Sequence, residues 1–372
     1  MKKTLYLSLI ILLSSCSPNK GENIIKVSFP APGTDLVSWL DIFPDMELIP
    51  LTGEQLPMIS CHALLIVHNN IYYVIDQYQT KKIYRFNQNG IYLNSIGTHG
   101  RGPKEYLYMT DVMIDNDGNI SIFSSGGNIL LTYSPDGTFL ERRELSYTPH
   151  RFISHNGFNY HYYGNGSGNY GDDSGKDYQL YVTDESGKTV GEFLPSLPVY
   201  PLPNTHTFTL YGNTLNFCPT DDNNIYQLKD GKMEISYSFD FGAFNIPDEY
   251  YQSDLYAVAE LFTKKEIAMK SGFFENRHSA ILEVFIEKMM SGLRVIYGIL
   301  NKRTNEWKWF NFKVEDDFFL FRYLDDEYAY FTAEPESLKQ LPGMTDRFPV
   351  LKTITENDGL VILRGKTNSI KL

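Results

Sequence analysis

Cysteine is scarce in this chain: three occur in 372 residues, Cys16, Cys61 and Cys218. Cys61 and Cys218 could pair, but spacing alone does not bring them within bridging distance, and free, buried thiols are the expectation. Neither has a histidine or second cysteine at metal-site spacing, and the neighbours Cys61 and His62 would point to opposite faces of a strand. Positive charge is also short, with 33 Lys and Arg against 45 Asp and Glu and a formal net charge of −12. An acidic chain with no basic cluster repels phosphate backbones, so nucleic acid is not an expected partner. There is no G-x-S-x-G nucleophile elbow, which argues against the commonest esterase layout. His150, His155 and His161 fit neither H-E-x-x-H nor a zinc ribbon. No metal and no cofactor are expected. Beyond the N-terminus no apolar run is long enough to span a bilayer as a helix.

What the N-terminus does carry is an address. Lys2 and Lys3 precede an apolar run from Leu5 to Leu13, then Ser14, Ser15 and Cys16. A charged start, a short apolar stretch and small residues make a secretory leader, too short for a permanent span. Leu13-Ser14-Ser15-Cys16 resembles a bacterial lipobox. The resemblance implies cleavage before Cys16, a lipid on its thiol, and a chain anchored in the bacterial cell envelope. The alternative is an ordinary leader with an incidental cysteine. Ser17 is not the aspartate that retains many lipoproteins at the inner membrane, so the outer membrane is the expected site. Residues 1–15 are then the leader, 16–45 a tether and N-terminal segment, and 46–372 one large domain.

Aromatic residues make up 15% of the chain, with 27 Tyr and 24 Phe, which favours pleated, half-buried structure. Short strand-like runs recur, separated by Asn-Gly and Asp-Gly pairs that favour tight hairpins. Gly90, Gly137, Gly187 and Gly231 sit in comparable polar turns, spaced by about 44 to 50 residues. Four short strands per unit at that period predict an all-β propeller, and six such units along the chain make it a six-bladed β-propeller, with five or seven blades as the alternatives. A strand near Met46 to Leu51 is expected to complete the last blade. A fifth turn, Asn301 to Asn305, comes late. The excess is read as a helical insertion in the fifth unit, about 248–270, with Leu255, Val258, Leu261 and Phe262 at helical spacing.

The segment Gly97-Thr98-His99-Gly100-Arg101-Gly102-Pro103-Lys104-Glu105-Tyr106 resembles the glycine-rich connection of bacterial six-bladed β-propeller lipoproteins, relatives of NHL-repeat propellers. The resemblance covers about 46–364 and implies a fold and an envelope location, but no catalytic residue. Read physically, the segment is a crossing between blades, in which Arg101 and Glu105 form an ion pair or face the channel. An alternative is that its backbone amides meet an anion.

Other candidates have plainer readings beside them. Asp115–Asn119 and Thr220–Asn224 offer oxygen ligands, but the first lacks EF-hand spacing and reads as a hairpin turn. Glu283 and Glu287 could pair as glycosidase carboxylates or be surface residues. Tyr160, Tyr162, Tyr163 and Tyr170 lie in an Asn-, Gly- and Ser-rich stretch and are candidates for stacking a ligand; the first three also read as strand. The leading expectation is a lipid-anchored binding or interaction scaffold whose partner is a glycan, a peptide or an envelope protein. The alternative is a propeller lyase or hydrolase acting on envelope or extracellular polysaccharide.

Overall fold

Gly90, Gly137, Gly187 and Gly231 all adopt positive φ, from +72° to +90°, a region that glycine enters without a Cβ penalty. In the computed structural model each closes the hairpin between the third and fourth strands of a four-stranded unit. In the first three the glycine amide donates to the carbonyl three residues back, and the first and third also share a side-chain acceptor. The Gly90 amide donates to the Asn87 carbonyl at 2.9 Å, while the Asn87 side chain accepts from the amides of Asn89 and Ile91. Asp184 repeats this with Ser186 and Lys188. In all three the register shifts beside the turn, after Arg85, Thr132 and Val182, as a bulged hairpin requires. The fourth unit uses a tighter turn, Asp230–Gly231, with φ positive at both residues. In the fifth, Asn305 takes φ +57°.

The structure describes residues 24–29, 36–54, 56–145, 149–164, 177–196, 206–247, 251, 255–288, 292–312, 319–355 and 359–372. Six sheets form the propeller. Blade one holds Leu64–His68, Ile71–Asp76, Lys82–Asn87 and Tyr92–Ile96. Blade two holds Asp111–Ile114, Ile120–Ser124, Ile129–Tyr133 and Phe139–Glu144. Blade three holds Arg151–His155, Phe158–Tyr162, Tyr178–Asp184 and Thr189–Pro195. Blade four holds Phe208–Tyr211, Thr214–Phe217, Asn224–Lys229 and Lys232–Asp240. Blade five holds Ile267–Glu275, Ser279–Lys288, Gly292–Asn301 and Glu306–Phe312. Blade six joins Leu320–Leu324, Tyr328–Ala333 and Val361–Lys366 to Glu47–Pro50.

That last pairing closes the ring as expected: Ile49 lies opposite Ile362 and Leu48 opposite Leu363, antiparallel. Both faces of each blade meet neighbours, so inner strands lose the in-out alternation of a half-exposed sheet. Every residue of Ile120–Ser124 and of Ile267–Glu275 is buried. The core is therefore a set of apolar layers between blades, such as Tyr160, Leu180, Phe217 and Tyr226 between blades three and four.

Two boundaries differ from the sequence reading. The described part of the 16–45 segment is not a free tether. Ile25–Ser28 pairs in parallel with Tyr237–Asp240 of blade four, and Leu36–Val37 with Asn311 and Phe312 of blade five. A short helix, Trp39–Ile42, follows, capped by Ser38 and Asp41. Trp39 is buried with its ring stacked on Phe312 at 4.1 Å. Val27, Phe29 and Trp39 gain burial that a solvated tail would forgo. The inserted helix also ends earlier than expected: its described part runs Leu255–Lys264, and Ile267–Glu275 is the first strand of blade five. Packing between blades overrides the helix propensity of Ala268, Met269 and Lys270 there.

Candidate functional site

The first strand of each blade lines the axis, since these strands neighbour one another around the ring. At one end they turn into the second strands through short hairpins, and four of those hairpins build a mouth. Asn69 and Asn70 turn blade one with φ of +49° and +61°. Tyr211 and Gly212 turn blade four, Glu275 ends the first strand of blade five, and Asp325-Asp326-Glu327 turns blade six. Together they surround a cavity of about 550 Å³.

Its side chains are held in place by internal bonds. Lys302 Nζ lies 2.7 Å from Glu275 Oε1 and 4.5 Å above the ring of Tyr211. Glu275 also accepts from Asn216 Nδ2 at 3.2 Å and from the Tyr237 hydroxyl at 3.3 Å. Asp325 accepts the amides of Glu327 and Tyr328 at 2.8 and 2.7 Å and the Tyr330 hydroxyl at 2.8 Å. Asp326 is exposed and accepts the Arg277 amide at 2.9 Å. Arg364 bridges Glu47 at 2.9 Å, contacts the Tyr72 hydroxyl at 3.3 Å and lies over the Tyr328 ring at 4.6 Å. Burial, reinforced by Asp325, pushes the Tyr323 hydroxyl up to about 12, and Tyr330 is raised for the same two reasons. The mouth is thus an ordered array of protonated tyrosines, amides and carboxylates. Fixed donors and acceptors of this kind suit recognition of a polar ligand more than proton transfer.

Deeper along the axis lies a second cavity of about 200 Å³ with mostly apolar walls. Asp111, Arg151, His206 and Arg322 face it. Burial, with Arg322 and Arg151 nearby, lowers the His206 imidazole to about 3, so it is neutral at physiological pH. Glu283 is raised by burial, although the hydroxyls of Ser271 and Tyr297 donate to it. Among the described residues no three His, Cys, Asp or Glu side chains converge as a metal site.

The residues singled out from sequence lie elsewhere. The 97–106 segment is the expected crossing from blade one to blade two, and Gly97 needs its φ of +85°. Glu105 turns back on this loop and accepts the Gly102 amide at 2.7 Å. Arg101 is exposed and makes no ion pair with Glu105. Tyr160, Tyr162 and Tyr163 are buried, with Tyr162 edge-on to Phe217 at 5.3 Å and Tyr163 to Tyr181 at 5.5 Å. Their rings pack against neighbouring side chains. Tyr170 and Cys16 lie outside the described residues. Asp115 closes a hairpin by accepting the amides of Asp117 and Asn119. His161 is buried against Phe152 and bonds the Thr183 hydroxyl, while His155 reaches the Asn213 carbonyl. The mouth residues were missed because each reads as an ordinary turn. The acidic run 325–327 between two apolar strands was the available signal.

The profile of a domain of unknown function, DUF4934, matches residues 34–366. Among solved structures, a Bacteroides fragilis protein described as exported superposes with a TM-score of 0.75 at 19% identity, covering 94% of this chain and 100% of that one. A DUF4221 member from Bacteroides vulgatus gives 0.56 at 11% identity, covering 89% and 97%. A virginiamycin B lyase from Staphylococcus aureus gives only 0.39 at 12% identity, covering 86% and 99%, which carries no argument. The two stronger likenesses show the fold. No curated protein matches the sequence.

Proposed function

This chain belongs to the DUF4934 family, and we propose that it is an envelope-exported propeller that binds a polar ligand, an oligosaccharide, at the mouth of its channel. The observation that carries the reading is the 550 Å³ cavity, whose hairpins from blades one, four, five and six set tyrosine rings beside carboxylates and asparagines. Sugars offer hydroxyls for such acceptors and C–H faces for such rings. The leader and the Cys16 lipobox support export and a lipid anchor at the outer membrane. The exported description of the Bacteroides fragilis relative agrees with that location. Binding is favoured over catalysis because Glu275 and Asp325 are each fixed in place by three internal partners, which suits a standing acceptor more than a group that shuttles protons. In addition, a neutral His206 with so low a proton affinity is a weak base.

The test is a screen of the purified mature protein against oligosaccharides and peptides. Saturable binding of an oligosaccharide, weakened by Tyr211→Ala, supports the reading. Turnover of a polysaccharide, or binding of peptides alone, contradicts it.

A further inference from the structure

The axial cavity has a chemistry of its own, separate from the mouth and from whatever binds there. Two guanidiniums from different blades face one space of about 200 Å³. Arg322 donates from Nε to the Thr332 hydroxyl and from Nη2 to the Cys61 carbonyl, each at 2.9 Å. Arg151 donates to the His150 carbonyl at 2.8 Å. Neither has a carboxylate within ion-pair distance. The nearby carboxylates stand beyond that distance and are held by other donors, although Asp111 still interacts electrostatically with Arg151 and Glu283 with Arg322. Asp111 accepts the amides of Phe152 and Val112 at 2.8 and 3.0 Å, and Glu283 accepts two hydroxyls. Both guanidiniums are half-buried, and an ion drawn even partly out of water favours a pairing counter-charge. Guanidinium forks match carboxylates in shape as well as charge. Around them the cavity is apolar, with Ile66, Val112, Ile153 and Phe208 on its walls.

We propose that this cavity binds a small organic carboxylate, with its head group on Arg151 and Arg322 and its apolar body against Ile66, Val112, Ile153 and Phe208. The neutral His206 ring completes the polar end. Entry is from the mouth, since the two cavities share Val67, His68, Leu210 and Tyr323.

Benzoate and its neutral isostere benzamide are the probes, titrated into the mature protein by calorimetry. The expected result is saturable benzoate binding at least tenfold tighter than benzamide, reduced at least tenfold by Arg151→Gln and by Arg322→Gln. If Arg322→Gln does not fold, Arg151→Gln, at a half-buried position, decides alone. Equal affinity for the two probes, no saturable benzoate binding, inorganic phosphate binding in its place, or an unchanged Arg151→Gln variant would each overturn the proposal.

Discussion

Gly90 and the carbonyl of Pro50 meet so closely that a Cβ on the glycine would overlap the oxygen. Gly90 is the turn of blade one, and Pro50 ends the strand that closes blade six. The contact continues as two 2.8 Å bonds, from the Thr52 amide to the Gly90 carbonyl and from the Tyr92 amide to the Thr52 carbonyl. The first hairpin of the ring is therefore also a clamp on its closure.

A paired substitution tests that clamp. Gly187 has nearly the same φ, +83°, but nothing lies within 4 Å of its would-be Cβ. Gly187→Ala should cost only the left-handed penalty of roughly 1–2 kcal/mol. Gly90→Ala adds the overlap with Pro50 and should cost about 3 kcal/mol. Urea unfolding of the two variants checks the difference; equal losses would remove the clamp.

Lys302 should matter through the charge it neutralises. Its side chain is 23% exposed and that of Glu275 only 8%. Lys302→Met leaves a buried carboxylate with neutral partners and should destabilise the protein by about 3 kcal/mol, the low end for such a break. Adding Glu275→Gln should recover part of the loss. A double-mutant cycle by chemical denaturation reads the coupling.

Stability should fall in acid through His206. Its folded value, about 3, lies below the ordinary 6.5 because of burial and then of Arg322 and Arg151. Between those values the unfolded chain holds a proton that the folded chain refuses. The group's contribution is complete above pH 6.5 and is lost as pH falls toward 3, by up to about 1.4 kcal/mol per unit. His206→Gln should flatten this part of the profile. Unfolding measured at pH 7 and pH 4.5 checks it: the gap between wild type and variant should shrink or reverse at the lower pH.

The ring was legible where the chemistry is local. A positive φ at Gly90 or Gly137 needs no distant partner, so its Asn-Gly or Asp-Gly pair announces the hairpin; three such pairs and Ser186-Gly187 set the period. The Met46–Leu51 strand was legible because a ring needs its last edge paired. Ile267–Glu275 was not, since Ala268, Met269 and Lys270 favour helix and only burial between blades makes them strand. Trp39 looked like part of a tail, because nothing nearby in sequence shows that Phe312 and Phe331 will enclose it. The mouth was the least visible part. Asn70, Tyr211, Glu275, Lys302 and Asp326 are scattered over the chain, and only ring closure brings them together.

Ligand binding at that mouth is the central claim, and isothermal titration is its most direct measurement. The best oligosaccharide from the screen is titrated into wild type and into a Tyr211→Ala, Asp326→Ala double variant of unchanged fold. The account predicts saturable one-site binding to wild type and at least a tenfold loss in the variant. An unchanged affinity in the variant, or no saturable binding of any oligosaccharide to wild type, would contradict it.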